Sequence, residues 1–324
     1  MTNFKEKLIV GTRTSKLAMA QTNQFIGTLL TAYPQMSRDA IIVKPIKTSG
    51  DRNQTDRLDQ MGGKGLFAKE IETEIKNKEI DVGIHSMKDM PAEYNAELSI
   101  GCWLERSDHR DGLISSSHIS FSELHPKSVI GTSSIRRRSQ LINLRTDVSI
   151  KALRGNVDTR IQKLNEQKYD AIVLSIAGLK RLSLDHLVSY VFPDNEILPA
   201  SCQGAIGIQM LSQNEDLKSF LSPINHISTE YLCNLERDVL SEIHANCNSP
   251  IGLHASEIED KVILRCEIFN HQGQKIYKNK FQEQKNLSDE LGKKMGHDIL
   301  SVVGQEQINQ LDKLENDFDY TPEK

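Results

Sequence analysis

Short apolar runs, most of them leading through a polar loop into a segment of helical character, recur through the first two thirds of this chain and constrain its fold class. Leu8-Ile9-Val10 leads through Gly11-Thr12-Arg13-Thr14-Ser15 into a helical pattern from about Leu17 to Leu30, carried by Leu17, Ala20, Gln24 and Leu30. The same order repeats in IIVKPI with GLFAKEIETEIKNKE, DVGIHS with MKDMP, VIGTSS with IRRRSQLINL, SIKALRGN with VDTRIQKLNEQ, and AIVLS with IAGLKRL. Strands alternating with helices predict parallel sheets of α/β type.

A chain of 324 residues exceeds one ordinary core, which predicts roughly two or three domains. The pattern shifts to shorter apolar runs near Leu98 to Ile114, and ILPASCQGAIGIQM gives another strand candidate after a proline-containing loop. These read as crossovers between two α/β lobes, residues 1–104 with 203–222 and residues 105–202. Beyond them come a helix in ISTEYLCNLERDVLSEIH, alternating strands around KVILRCEIF and QKIYKNKFQ, and a helix from Leu287 to Val303. That texture predicts a smaller α+β domain over 223–312, followed by an acidic, frayed tail at 313–324.

Hydrophobic residues make up 38% and charged residues 26%, and no run approaches the ~20 apolar residues of a membrane span. The first residues carry only Leu8-Ile9-Val10 as an apolar run, so a cytoplasmic protein is expected, without a membrane partner. Five widely spaced cysteines with no C-x-x-C pair indicate neither a disulfide framework nor a metal cluster. A net charge of -4 argues against broad polyanion binding and leaves room for a concentrated basic cleft.

In open α/β sheets, ligands bind outside the carboxyl ends of the strands, where loops lead into helix N-termini. There the chain sets Arg13 with Thr14 and Ser15, Asp51, Lys64 in GGKG, then His85, Ser86, Lys88 and Asp89 in one loop. Ser133, Ser134, Arg136, Arg137, Arg154, Arg160 and Arg181 continue the series. So many cations at one topological end predict a ligand with several carboxylates or phosphates. Arg136, Arg137 and Arg138 sharpen the point: basic charge at a helix start opposes the macrodipole, and a bound anion is the easiest way to offset it. Arg138 points away from the other two on a helix and is either solvated or paired with an acid. GGKG lacks the full G-x-x-x-x-G-K-[ST] pattern, so ATP binding is not expected. His85 closes an apolar strand and is assigned no chemistry.

Asp89 is a carboxylate set among cations in SMKDMP, where Pro91 stiffens the loop. It either pairs with local bases, or stabilises a cationic intermediate and handles a proton from nitrogen. Cys247 lies in the polar loop HANCNSPIG, whereas Cys233 and Cys266 sit inside apolar patterns and read as core residues. A loop cysteine is free to act as a nucleophile or an attachment point.

Read in order, RTSKLAMAQ, GGKGLFAKEIE, DVGIHSMKDMP, GTSSIRRRSQL, LRGNVDTRIQKL, AIVLSIAGLKRL, ILPASCQGAIGIQ and the late Cys-x-x-Pro-Ile-Gly closely resemble the porphobilinogen deaminase, or hydroxymethylbilane synthase, family. The match covers most of residues 8 to 255. The resemblance implies two α/β domains like those of periplasmic binding proteins and a third domain that bears the cofactor. It implies a monomeric transferase of heme and tetrapyrrole biosynthesis that joins four porphobilinogen molecules head to tail into hydroxymethylbilane, releasing ammonia each time. The family's dipyrromethane cofactor, held by a thioether, falls on Cys247, and the catalytic aspartate on Asp89, which would stabilise the azafulvenium formed as ammonia leaves. Cofactor contacts are implied for Lys88, Asp89, Ser134, Arg136, Arg137 and Arg154, and substrate contacts for Arg13, Ser15, Lys64, Arg154, Arg160, Arg181 and Gln203. Each porphobilinogen carries an acetate and a propionate, so a growing chain accumulates the negative charge that spread guanidiniums compensate.

The chain departs from the family pattern at Gln60, where lysine is common, at Cys202, where glycine is usual, and at Ala245-Asn246, where Gly-Gly usually precedes the cysteine. Asn248-Ser249 also differ. A non-enzymatic polycarboxylate-binding module of two lobes is the alternative reading, and it would need neither Asp89 nor Cys247. Nucleic-acid binding is not expected, given the negative net charge and the single tryptophan.

Overall fold

A computed structural model describes residues 7–48, 68–92, 95–245, 249–270 and 272–311. It divides into two compact units, Met1–Ser107 with Gly204–Tyr231, and Asp108–Gln203 with Leu232–Lys324.

In the first unit, β1 (Leu8–Arg13), β2 (Ile41–Ile46), β3 (Val82–Ser86), β4 (Leu98–Trp103) and β10 (Ile206–Leu211) form one sheet in the order β2-β1-β3-β10-β4. β1 runs parallel to β2 and β3, whereas β10 pairs antiparallel with β3 and β4. The all-parallel expectation is therefore corrected: each large sheet has one reversed strand, a direction that hydrophobic periodicity does not encode. Successive side chains leave a strand on opposite faces. Leu8 and Val10 accordingly pack with Phe25 and Leu29 of α1 (Lys16–Ala32), while Ile9 lies against the cluster of Ile71 and Ile75 from α2 (Lys69–Lys76). Helix α1 begins where predicted because the Ser15 hydroxyl accepts from the Ala18 N–H, closing one of the otherwise unpaired donors of its first turn.

The second unit repeats the plan. Strands β5 (Asp111–Ser115), β6 (Val129–Gly131), β7 (Ser149–Lys151), β8 (Ala171–Ser175) and β9 (Tyr190–Val191) take the order β7-β6-β8-β5-β9. Here β5 is the reversed strand. α3 (Ile135–Leu144), α4 (Val157–Asn165) and α5 (Ile176–Arg181) follow β6, β7 and β8 in turn. Alternation again splits the core, with Leu113 and Val173 on one face and Ile114, Ile172 and Leu174 on the other.

A separate antiparallel sheet of β11 (Ile251–Ile258), β12 (Lys261–Phe269) and β13 (Lys275–Gln284) belongs to the same unit. Helix α7 (Leu291–Val302) lies close against α6 (Ile227–Glu242): a Cβ at Gly292 would stand 2.4 Å from the Leu235 carbonyl oxygen. The predicted tail lies outside the described residues. No helix among those described is long and apolar enough to cross a membrane.

Cys202 adopts φ 56, a left-handed backbone that costs a residue with a Cβ roughly 1–2 kcal/mol. That accounts for the glycine usual there in the resembling family. Its thiol is buried, 3.6 Å from the Cys233 carbonyl oxygen. Relief of the backbone and loss of the packed thiol, each about 1 kcal/mol, oppose one another. Cys202→Gly is therefore expected to unfold in urea within about 1 kcal/mol of the parent, whereas the β-branched Cys202→Val loses several times more. A Cys202→Val protein as stable as the parent would contradict this backbone assignment.

Candidate functional site

The carboxyl ends of the neighbouring parallel strands β1 and β3 carry the first cluster. Arg13 is the last residue of β1, half-buried, and Ser15 follows as the cap of α1. After Ser86 closes β3, a single 3-10 turn, Met87–Asp89, presents Lys88 and Asp89. Met87 and Met90 are 1% and 4% exposed and pin the two ends of this turn, so Lys88 and Asp89 are left half-buried between them. The Gln21 amide donates to the Ser86 hydroxyl at 2.6 Å and fixes the turn's entry to α1.

His85, one residue inside the strand, is buried, and desolvation pushes its pKa down to about 4. It is a neutral core histidine, consistent with assigning it no chemistry. Because the unfolded chain binds a proton near pH 6.5 while the folded one resists until about pH 4, stability falls as pH drops through that window. The parent is expected to lose about 1.4 kcal/mol of unfolding free energy per pH unit more than a His85→Gln protein between those limits. Parallel denaturation curves for the two proteins from pH 7 to pH 4.5 would rule this out.

In the second unit the residues gather after β6 and β7. Ser134 caps α3, its hydroxyl accepting from the Arg137 N–H, and the Ser133 hydroxyl donates to the Leu153 carbonyl at 2.7 Å. Arg154 and Arg160 flank Gly155, whose φ of 114 suits glycine and whose carbonyl accepts from Arg160 Nε at 2.7 Å. A Cβ at Gly155 would also stand 2.8 Å from the Thr159 side chain. Arg181 ends α5, and burial pulls its pKa down to about 10.

The arginine run meets an acidic partner inside the protein. Arg136 and Arg137 are 4% and 5% exposed, and both reach Asp111, which is fully buried at the start of β5. Arg136 Nη2 donates to Asp111 Oδ2 at 2.8 Å and Arg137 Nη2 to Oδ1 at 2.7 Å. Burial alone would raise the Asp111 pKa, but the two guanidiniums outweigh it and hold the carboxyl well below the usual range. The counter-charge that the helix start called for is thus supplied from within the protein. Arg138 is half-buried.

Gln203, read as lining a cleft, is 1% exposed. Its amide donates to Asp111 Oδ1 at 2.9 Å and to the His109 carbonyl at 2.7 Å, so it shares the aspartate with the two arginines. Asp111 and Gln140 went unnoticed in the sequence. The only sequence signal for Asp111 was an acid directly ahead of the apolar run GLIS. Lys64 and Cys247, with Asp51, Gln60 and Asn246, lie outside the described residues.

One further polar group approaches the makeup of a metal site. His109, Asp194 and His254 offer ligand atoms within 4.8 Å of one another. The two imidazoles stack at 3.7 Å with an interplanar angle of 23°. Lone pairs in near-parallel rings do not converge on one cation, and Arg265 lies 3.5 Å from the same carboxylate. Asp194 is hydrogen-bonded to His109 Nε2 at 2.9 Å and lies 3.5 Å from His254 Nδ1, and these two contacts overcome its burial and hold its pKa low.

Two family models cover nearly all of this framework: porphobilinogen deaminase, dipyromethane cofactor binding domain, over residues 8–219, and porphobilinogen deaminase, C-terminal domain, over 231–301. The chain belongs to the porphobilinogen deaminase family. A porphobilinogen deaminase of Lysinibacillus sphaericus is 39% identical over 308 residues, covering 93% of this chain and 98% of that protein. One from Staphylococcus aureus (strain MRSA252) is 39% identical over 312 residues, 95% of this chain and 99% of its own length. One from Staphylococcus epidermidis (strain RP62A) is 42% identical over 258 residues, 79% of this chain and 83% of that protein. Among solved structures, a TRAP periplasmic solute binding protein from Desulfovibrio salexigens aligns with a TM-score of 0.41 at 11% identity, covering 70% of this chain and 75% of that one. HSMKDMP and RGNVDTR, two of the stretches on which the sequence resembles that family, hold the turns described at Met87–Asp89 and Gly155.

Proposed function

We propose that this chain condenses four porphobilinogen molecules head to tail into hydroxymethylbilane with release of ammonia, using dipyrromethane held through Cys247. The observation that supports it most is the buried Arg136–Asp111–Arg137 group. Two guanidiniums against one carboxylate leave one positive charge in excess. Arg136 Nε and Arg137 Nε are buried donors with no hydrogen-bond partner among the described residues. Orphaned donors beside an excess positive charge suit a carboxylate-bearing ligand, and the acetate and propionate groups of dipyrromethane have that chemistry.

In this reading the cofactor supplies a tethered pyrrole to which each new unit is joined. Arg136, Arg137, Ser134, Arg154 and Lys88 hold its acidic side chains, and Cys247 carries the thioether. Arg13, Ser15, Arg160, Arg181 and Lys64 receive the carboxylates of the incoming substrate. Gln203 acts through Asp111. Asp89 offers a carboxylate to the pyrrole nitrogen and to the positive charge that develops on the substrate as ammonia departs.

We further propose the three-domain division at 1–104 with 203–222, 105–202 and 223–312, and a cytoplasmic monomer without nucleic-acid partners. Incubating the purified protein with porphobilinogen and following bilane and ammonia tests the activity. Formation of both supports it, and binding of porphobilinogen without ammonia release would favour a two-lobed polycarboxylate-binding module instead.

A further inference from the structure

We infer that Asp111 is a positioning residue of this site: its carboxylate sets how the Arg136 and Arg137 guanidiniums lie and how much positive charge they retain for a ligand. The inference rests on the reading above, that these arginines receive carboxylates.

The bonds around Asp111 tie together several separate segments of the unit. The aspartate opens β5, with its backbone paired to Ser175 of β8 in register. Each carboxylate oxygen takes one guanidinium nitrogen, and Oδ1 takes the Gln203 amide as well. The other ends of the guanidiniums are fixed by main-chain carbonyls, Arg136 Nη1 by Leu198 at 2.6 Å and Arg137 Nη1 by Val173 at 2.9 Å. Leu198 is held in turn by both ends of the buried Gln140 amide, which donates to its carbonyl at 2.9 Å and accepts from its N–H at 2.7 Å.

Arginine presents five donors in a planar fork. With both Nη groups committed to fixed acceptors, each fork has no rotational freedom, and its Nε direction is set by the protein before any ligand arrives. Such preorganisation avoids an ordering cost on binding. Asp111 also leaves the pair with a single excess charge, matched to one ligand carboxylate rather than two.

A purely neutralising counter-ion and a positioning one make opposite predictions for Asp111→Glu. Glutamate keeps the charge but moves the carboxylate along the side chain by about 1.5 Å, one carbon–carbon bond. A neutralising role tolerates that shift, whereas a positioning role does not. Asp111→Glu is expected to melt within a few degrees of the parent yet lose at least about 30-fold in kcat/KM for porphobilinogen, with a smaller fraction of molecules carrying the adduct by intact mass. Activity within threefold of the parent at an unchanged melting temperature would overturn the inference.

Should Asp111→Glu fail to fold, Gln203→Met decides. It removes the donor to Oδ1, and with it the bond to the His109 carbonyl, without changing any charge; it is expected to raise KM about three- to tenfold with kcat changed less than twofold and melting lowered by only a few degrees, and an unaltered KM overturns the inference. The parent assayed alongside separates the two claims. A parent that makes no bilane sinks the functional reading, while an active parent beside an indifferent Asp111→Glu or Gln203→Met sinks only the role of Asp111.

Discussion

Asp89→Asn protein is expected to keep its pyrrole adduct and its melting temperature while turnover falls by about a hundred- to ten-thousand-fold. The fold contribution is small because the turn is held by its neighbours: Met87 and Met90 occupy the core, and the Met90 N–H closes the turn on the Met87 carbonyl. Asparagine has nearly the same shape, so the change removes charge and leaves geometry. In water, a carboxylate facing a developing cation would contribute little. Beside half-buried residues, where the effective dielectric is lower, the same charge contributes far more. The measurement is single-turnover ammonia release with intact mass recorded on the same sample. Near-parental turnover, or loss of the adduct with turnover retained, would contradict the role given to Asp89.

Cys247→Ala is expected to abolish both the adduct and turnover, with no other cysteine taking over. Thioether attachment needs a thiolate that a reactive pyrrole can reach. Cys102, Cys202, Cys233 and Cys266 are all buried. Burial pushes the Cys102 thiol up to about 12 and raises the Cys266 thiol further. At neutral pH these groups stay protonated and enclosed, so they pack as small apolar side chains. An adduct found on any of the four in the Cys247→Ala protein would show that the attachment site was misassigned.

Much of this was legible because the proposed site falls where local pattern is strongest. The Leu8-Ile9-Val10 run, Ser15 cap and α1 pattern follow from period and capping alone, and the turn of Lys88 and Asp89 follows from the end of an apolar strand before Pro91. The directions of β5 and β10 were not legible, since a buried strand has the same composition whichever way it runs. β11 was missed because Gly252, His254, Ser256 and Glu257 leave it no continuous apolar run. The arginine run shows the limit most clearly. Its helix start and its need for negative charge were both readable, but the partner, Asp111, lies 25 residues before Arg136 and no local pattern ties the two together. Gln203 was drawn into the site by its motif, and its bond to that same aspartate was not readable.

The central claim is that the arginine-lined framework serves a pyrrole oligomer tethered to Cys247, and intact mass spectrometry of the purified chain followed by peptide mapping tests it most directly. The predicted result is an excess equal to two porphobilinogen units less two ammonias, carried on the peptide that contains Cys247. An unmodified mass that persists after incubation with porphobilinogen, or the same excess on a different residue, would contradict it.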